Sequence, residues 1–416
     1  MYKPRCADVQ IDQDFEWAGG VLLEGPRGCG KTTTGEQHSA SMVRLDETPQ
    51  IAILAEEQPK TVLEGLRPRM VDEWQLAPAL WNAARNLIDS SQQSAQFIFS
   101  GSAKPTSDIT RHTGAGRFSR IRMRTMSLAE AGLSSGEISL RDLKLSGHQK
   151  LGSLSPLTYG ELAEAAVTGG WPRLLGASTK SGVSFNREYN SMLTQVEIPE
   201  STERGADTRR LSRVLESLSR NIAGELNLVR MASEVAGDGR VVATKTLRSD
   251  LDSFAGVFAY DPVPAWSVDV RSRARLRQSE KIQLADPAMA TAALGIGAER
   301  LMLQREYFGF VFESMVVRDI RAYAAIDGGQ VRHYRDNVGL EIDVVIEYPD
   351  TWAAIEAKLG STEIPKAEAN LLRLANDKVD TDKVGPPSFL AIVTGTEAAY
   401  TLPSGVHVIP LATLTW

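Results

Sequence analysis

The residues with the clearest chemical meaning form a glycine-rich loop near the start of the chain. GPRGCGKT at 25–32 follows the apolar stretch VLLEG at 21–25 and has the spacing G-x-x-x-x-G-K-[ST]. In such a loop backbone N–H groups surround phosphate oxygens, a lysine reaches the β- and γ-phosphates, and a hydroxyl group binds Mg²⁺. The pattern predicts an ATP and Mg²⁺ site contacted by Gly25, Pro26, Arg27, Gly28, Cys29, Gly30, Lys31, Thr32 and Thr33, with Thr32 as the metal ligand. A helical stretch is expected to follow over 32–44.

An acidic pair lies about forty residues after this loop. LRPRMVDEW at 66–74 is an extended stretch that ends in Asp72 and Glu73. A phosphate loop needs a second carboxylate for Mg²⁺ and a group that orients the attacking water. Asp72 is therefore predicted to hold Mg²⁺ through water, and Glu73 is predicted to polarise the hydrolytic water.

The next apolar strand and the basic stretch after it supply two further candidates. AQFIFSGS at 95–102 ends in hydroxyl residues, and either Ser100 or Ser102 is expected to sense the γ-phosphate, unless this end is a plain Ser-Gly turn. RHTGAGRFSRIRMR at 111–124 is basic throughout, and Arg117 is the first choice for an arginine finger that reaches a neighbouring chain's nucleotide. A finger supplied in trans predicts a homo-oligomer such as a hexamer; the alternative is a solvated basic strand.

The order of motifs along the chain resembles that of a known family. The motifs are GPRGCGKT, LRPRMVDEWQ, FIFSGSA, GAGRFSRIRMRTMSLAE and GGWPRLL. They resemble the prokaryotic AAA+-type P-loop ATPases that carry a carboxy-terminal DUF4143 domain. The resemblance implies an α/β multidomain protein: a P-loop ASCE/AAA+ core at 1–130, a helical lid and linker at 131–205, a winged helix-turn-helix at 206–270 and a nuclease-like domain at 271–416.

The middle of the chain has helical periodicity and a winged-helix pattern. An amphipathic helix is predicted at 209–223. Two short helical stretches at 226–236 and 243–257 follow it and precede the extended segment VFAYDPVPAW. In a DNA-binding arrangement the third helix faces the duplex with Lys245 and Arg248, whereas in the alternative the module only packs between domains. Alternating arginines at 271–277 could follow a phosphate backbone or form a solvated edge. A Gly/Ser-rich stretch at 132–156 is expected to be a loop.

The last third has the element order α-β-β-β-α-β, which resembles the PD-(D/E)xK nuclease superfamily. The resemblance assigns Asp343 to the second strand, Glu356 and Lys358 to the third, and Glu313 to the first helix as an accessory acid. Glu356 and Lys358 are two residues apart and so share one strand face. Asp343 and Glu356 are therefore expected to lie within about 5 Å and share Mg²⁺, with Glu313 as a further ligand and Lys358 assisting catalysis. The alternative is a scaffold that keeps the fold without cleavage.

Composition limits the class of protein. The chain has 416 residues, a net charge of −6 and two cysteines, Cys6 and Cys29. A disulfide framework is not expected, and nucleic-acid contact would need local basic patches. The start shows no apolar signal segment, and the apolar run at 287–298 is too short for a bilayer, so a cytoplasmic protein without membrane contact is predicted.

Two functions remain open from the sequence. The first is an ATPase that binds and remodels duplex or branched DNA and carries a metal-dependent nuclease-like domain. The second is a nucleotide-controlled switch that acts on a protein partner, with the carboxy-terminal domain as an inactive scaffold.

Overall fold

A computed structural model describes residues 2–102, 114–147, 151–201, 207–236, 242–267 and 279–416. The chain divides into two compact units. The first comprises Met1–Thr125 and Gly256–Ala259, and the second comprises Met126–Ala255 and Tyr260–Trp416. The four-domain boundaries expected from the sequence stay a prediction. Among the described residues, no helix combines the length and apolar character needed to cross a bilayer.

The first unit alternates helices and strands. Its elements are α1 (Cys6–Asp14), β1 (Gly20–Glu24), α2 (Lys31–Gln37), β2 (Ser41–Arg44), α3 (Pro49–Glu57), α4 (Pro59–Val62), β3 (Arg69–Asp72), α5 (Ala79–Ser91), β4 (Phe97–Gly101) and β5 (Phe118–Arg122). The five strands are parallel and lie in the order β2-β3-β4-β1-β5. In this order β4 lies between the loop strand β1 and the acidic strand β3.

Strand alternation decides which side chains reach the nucleotide loop. Along β3 and β4, Met70 pairs with Ile98 and Asp72 pairs with Ser100. Met70 and Ile98 pack in the core on the side of α1. Because residues two apart on a strand share a face, Asp72 and Ser100 continue the same face beyond this core.

The opposite face of the sheet carries an aromatic core. Trp81 of α5 stacks on Phe118 at 4.4 Å between ring centroids and on Trp74 at 5.0 Å, with Phe99 edge-on to Trp81 at 5.8 Å. All four rings are buried. Such ring pairs stabilise beyond their buried area by about 0.5–1.5 kcal/mol each, and they hold β4 and the residues just after β3 in place.

The helix after the glycine-rich loop is shorter than expected. It ends at Gln37, and the last residues of the predicted helical stretch, 41–44, form β2, which pairs in parallel with β3. The helical expectation over 41–44 is wrong because SMVR pairs with β3 at the edge of the sheet. Local periodicity does not reveal a pairing partner that is distant in the sequence.

His38 fastens the end of α2 to α1. Its Nε2 lies 3.0 Å from Asp8 Oδ1, and its Nδ1 lies 3.0 Å from Asp12 Oδ1. The hydrogen bond to Asp8, followed by the negative charges of Asp12 and Asp8, raises the pKa of His38 above its ordinary 6.5 despite partial burial. A protonated imidazole at a helix carboxy terminus is further favoured by the helix dipole.

Stability of this contact should fall as pH rises. A raised folded-state pKa makes the contribution of His38 full below about pH 6.5 and removes it as pH passes above the folded value. We expect His38→Gln to lower the hydrogen-exchange protection of α1 and α2, measured by mass spectrometry, most below about pH 6.5 and progressively less as the pH rises. A loss that grows with pH would contradict the assignment.

The second unit begins with helices. They are α6 (Leu128–Ala131), α7 (Leu140–Ser146), α8 (Tyr159–Thr168), α9 (Thr179–Met192), α10 (Ile198–Ser201), α11 (Thr208–Arg220), α12 (Leu228–Val235), α13 (Thr244–Gly256), α14 (Pro287–Ala293), α15 (Ala298–Leu303) and α16 (Arg305–Ala325), with the short strands β6 (Ile138–Ser139) and β7 (Ser153–Leu154) between them.

The remainder of this unit is mostly sheet. Its elements are β8 (Gln330–Arg335), β9 (Glu341–Glu347), β10 (Trp352–Lys358), α17 (Ile364–Arg373), α18 (Thr381–Val384), β11 (Leu390–Thr394), β12 (Ala398–Thr401), β13 (His407–Pro410) and β14 (Leu414–Thr415). Seven strands form one sheet in the order β7-β12-β13-β11-β10-β9-β8, and β14 pairs with β6. The predicted order α-β-β-β-α-β is confirmed over α16 to β11.

The expectation of a loop over 132–156 is wrong. This stretch contains β6, α7 and β7, and Leu140 and Leu143 of α7 are buried. β6 pairs with β14 and β7 pairs with β12, so both strands depend on partners near the end of the chain. The Gly/Ser composition conceals them because each strand spans only two residues.

Two sequence motifs are joined by a buried ionic network in this unit. Arg318 of α16 contacts Asp286 at 3.4 Å and Asp319 at 2.8 Å. Asp286 accepts a hydrogen bond from Gly170 N of the GGWP motif, and Asp319 accepts one from Leu128 N of the SLAE motif. These motifs therefore serve the packing of the second unit.

Candidate functional site

The glycine-rich loop turns sharply between β1 and α2. Gly30 precedes α2 with a left-handed φ of 103°, which favours glycine. A Cβ at Gly25 would lie 2.4 Å from the backbone oxygen of Met123, so that position also requires glycine. Lys31 is buried, and its Nζ donates to the carbonyl oxygens of Gly25 at 2.9 Å and Pro26 at 3.0 Å. The ammonium group is thus held inside the loop.

Asp72 connects three elements at the carboxyl end of the sheet. Its Oδ2 accepts a 2.9 Å hydrogen bond from Thr32 Oγ1 on α2, and its Oδ1 accepts one from Ser100 Oγ at the end of β4. Asp72 is buried, yet among the described residues no lysine or arginine forms an ion pair with it. A hydroxyl and a carboxylate beside a phosphate loop form the oxygen ligand set that Mg²⁺ prefers, so these residues fit that ion.

Glu73 follows Asp72 with a strained backbone. Its φ is 53°, a left-handed value that is uncommon for a non-glycine residue and costs on the order of 1–3 kcal/mol. Its Oε2 accepts a hydrogen bond from Gln75 Nε2 and a long one, 3.4 Å, from Ser102 Oγ. Glu73 also lines a cleft of about 760 Å³ together with Thr32 and Asp72. The carboxylate thus faces the same cleft as the predicted metal ligands.

The two candidate serines have different partners. Ser100 contacts Asp72, whereas Ser102 contacts Glu73. The expectation that Ser100 or Ser102 senses the γ-phosphate stays a prediction, and so do the nucleotide contacts predicted for the loop. Within the loop, Arg27 and Thr33 are exposed and Cys29 is buried.

Arg117 lies just before β5 and pairs within its own unit. Its Nε donates to Asp89 Oδ1 of α5 at 2.7 Å, and its Nη1 donates to the carbonyl oxygen of Ala115. The side chain is 41% exposed. A role as a trans-acting finger stays a prediction and would require Arg117 to exchange Asp89 for phosphate.

A second cluster of ionisable groups lies in the second unit, between α16 and the sheet. Glu313, Asp343 and Glu356 are buried there and lie on α16, β9 and β10. Lys358 Nζ contacts both Asp343 Oδ2 at 3.0 Å and Glu356 Oε2 at 2.7 Å. The predicted convergence of these side chains on one face is therefore present.

Lys281, which the sequence reasoning did not consider, completes this cluster. Its Nζ contacts Glu313 Oε1 at 2.6 Å and Asp343 Oδ1 at 3.1 Å, and the side chain is buried. Asp343 Oδ2 also accepts a hydrogen bond from Ala357 N, and Glu356 Oε1 accepts one from Asn370. The prediction that Glu313, Asp343 and Glu356 hold a divalent ion does not fit, because an ammonium group lies between two of the three carboxylates.

The pKa shifts follow from this arrangement. Burial, and then the charge of Asp343, raise the pKa of Glu313 to about 7 and that of Glu356 to about 8. Burial alone would raise the pKa of Asp343, but Lys281 and Lys358 outweigh burial and hold that pKa well below its usual range. The two glutamates therefore hold a proton more readily than ordinary carboxyl groups, whereas Asp343 stays ionised between the two lysines.

The comparisons with known proteins assign the segments of the chain. Residues 19–132 match the model of an AAA domain, residues 159–300 match a domain of unknown function, DUF8612, and residues 308–414 match a domain of unknown function, DUF4143. The chain therefore carries an AAA-type domain and a carboxy-terminal DUF4143 domain. The AAA-type segment contains the glycine-rich loop, Asp72, Glu73 and Ser100, and the DUF4143 segment contains Glu313, Asp343, Glu356 and Lys358.

Similar solved structures are remote from this chain. The Walker-type ATPase PABY2304 of Pyrococcus abyssi aligns with 69% of this chain and 95% of its own, at 13% identity and a TM-score of 0.41. A structure described as a DNA replication initiation factor aligns with 58% of this chain and 85% of its own, at 13% identity and a TM-score of 0.24. No curated protein matches the sequence.

Two residues of the ATPase site were missed by sequence reasoning. Arg5 is buried and donates to the backbone oxygens of Cys29 and Arg124, each at 2.8 Å, so it fixes the loop next to β5. A lone arginine at this position gives no signal in the sequence. Gln75 lies in a one-turn helix at Trp74–Leu76, which brings its amide back toward the carboxylate of Glu73. The only sequence signal was its position two residues after the acidic pair.

Gln75 should position Glu73 during hydrolysis. In Gln75→Ala the carboxylate loses its close amide donor, and we expect kcat to fall about tenfold while the KM for ATP stays unchanged. Steady-state phosphate release measures both values, and Gln37→Ala on the exposed end of α2 is the matched control. An unchanged kcat in Gln75→Ala would show that Glu73 needs no such support.

Proposed function

We propose that the AAA-type unit binds ATP with Mg²⁺ and hydrolyses it. The observation that carries this proposal is the convergence of Thr32, Asp72 and Glu73 on one cleft beside the phosphate loop. Bound Mg²⁺ would neutralise charge on the β- and γ-phosphates, with Thr32 as its ligand and Asp72 holding it through water. Lys31 would exchange the carbonyl oxygens of Gly25 and Pro26 for phosphate oxygens.

Within this proposal Glu73, Ser100 and Arg117 have separate tasks. Glu73 accepts the proton of the attacking water, because its carboxylate reaches into the cleft and is oriented by Gln75. Ser100 reports the γ-phosphate to β3 through its hydrogen bond to Asp72. Arg117 completes the site of a neighbouring chain, so the active form is a homo-oligomer.

Two substitutions separate nucleotide binding from turnover. Glu73→Gln keeps the shape of the site but cannot take a proton, so we expect ATP affinity to stay and turnover to fall by about 100-fold or more. Lys31→Ala removes the ammonium group that would contact the β- and γ-phosphates, so both ATP affinity and turnover should fall. Equilibrium ATP binding and phosphate release measure the two effects.

Glu47→Gln is the matched control, because Glu47 lines the same cleft but is exposed and lies outside the acidic pair. It should retain both binding and turnover. Turnover by Glu73→Gln at the rate of the unsubstituted chain would refute the assignment of the base.

We also propose that ATP turnover is coupled to DNA through α11, α12 and α13. Leu247, Leu251 and Phe254 bury one face of α13, whereas Lys245 and Arg248 are exposed on it. Arg248 Nη1 lies 3.9 Å from Glu280 Oε1, which is a long distance for an ion pair. An amphipathic third helix with exposed cations suits contact with a duplex. The alternating arginines at 271–277 lie outside the described residues.

A charge reversal on α13 tests this coupling. Lys245→Glu with Arg248→Glu should weaken binding to duplex and four-way DNA and lower the slope of log Kd against log salt by about two, one for each lost phosphate contact. Lys180→Glu with Arg187→Glu makes the same change of net charge on exposed positions of α9 and is the control. Equal losses in both double variants would contradict a specific role for α13.

The second candidate function is a nucleotide-controlled switch on a protein partner. The ammonium of Lys281 inside the acidic cluster favours it, because a scaffold domain needs no metal. If the unsubstituted chain binds none of the DNA structures, with or without ATP, this candidate takes the place of the DNA proposal while the ATPase proposal stands.

A further inference from the structure

Lys281 is fixed in the second unit by its backbone as well as by its side chain. Lys281 N donates to Val263 O at 2.9 Å, and Val263 N donates to Lys281 O at 2.9 Å. Ile282 N donates to the carbonyl oxygen of Gly224 at 2.8 Å. The residue therefore belongs to an antiparallel pairing within the interior of this unit, unlike a surface lysine that moves freely.

The ammonium of Lys281 uses the carboxylate oxygens that a metal would need. Asp343 Oδ1 faces Lys281 at 3.1 Å, while Asp343 Oδ2 is shared between Lys358 and Ala357 N. Glu313 Oε1 lies 2.6 Å from Lys281. A divalent ion placed between Glu313 and Asp343 would meet a buried positive charge at contact distance, where low dielectric makes repulsion large.

The chain supplies the cations of this cluster itself. The ammonium groups of Lys281 and Lys358 contact all three carboxylates. Among residues 2–102, 114–147, 151–201, 207–236, 242–267 and 279–416, no group of three or more His, Cys, Asp or Glu side chains is arranged to hold a metal ion. Buried carboxylates require compensating positive charge, and here lysine side chains of the same chain provide it.

We propose that the ammonium of Lys281 takes the place of a divalent cation in the DUF4143 domain of this chain. The Glu313–Asp343–Glu356 cluster is then a metal-free ionic core that joins α16 to β9 and β10. The domain keeps the arrangement of a nuclease-like site without metal-dependent cleavage. This inference is independent of ATP hydrolysis in the first unit.

Iron-directed backbone cleavage locates metal sites and tests the proposal. The full chain is incubated with Fe²⁺, ascorbate and peroxide without nucleotide, and the fragments are mapped by mass spectrometry. The unsubstituted chain and Lys281→Arg, which keeps the charge, should show no cuts in β9 or β10. Lys281→Met removes the charge at similar volume, so cuts near Asp343 and Glu356 should rise about tenfold or more above background.

The added substitution Asp343→Asn should abolish the new cuts in Lys281→Met, and excess Mn²⁺ should compete with them. Cuts in β9 or β10 of the unsubstituted chain would overturn the proposal, and this result does not depend on any variant folding. A Lys281→Met protein that unfolds cooperatively on heating but shows no cuts would also overturn it, because the lysine would then not be what excludes the ion.

Discussion

A buried carboxylate must be compensated, and the two units of this chain meet that requirement in different ways. In the described part of the first unit, Asp72 accepts hydrogen bonds from the hydroxyl groups of Thr32 and Ser100 and forms no ion pair, which leaves its charge available to an external cation. In the second unit Asp343 lies between the ammonium groups of Lys281 and Lys358. The same physical constraint therefore produces a site that fits Mg²⁺ in one unit and an internal ion network in the other.

The architecture of the first unit follows from the placement of Asp72. Parallel pairing of β3 with β4 aligns Asp72 with Ser100, and the glycine-rich loop brings Thr32 to the same edge of the sheet. The aromatic core around Trp81 supports these strands from the other face. The strained backbone at Glu73 is held by this frame, which suits a residue that must project into the cleft.

Short-range sequence patterns predicted most of the local structure. The glycine-rich loop, the acidic pair and the alternation of β1, β3 and β4 were readable because each depends on neighbouring residues. Long-range pairing could not be predicted in this way. β6 depends on β14, and Lys281 contacts Asp343, which lies 62 positions later in the sequence. The resemblance to the nuclease superfamily predicted the convergence of Asp343, Glu356 and Lys358, but no sequence pattern indicated that Lys281 would join them.

Anomalous scattering tests this contrast most directly. Crystals of the full chain grown with a non-hydrolysable ATP analogue and Mn²⁺ would be measured at the manganese absorption edge. The account predicts a peak beside Thr32 and Asp72 and no peak between Asp343 and Glu356. A manganese peak within the Glu313–Asp343–Glu356 cluster, or none at Thr32 and Asp72 with the analogue bound, would contradict it.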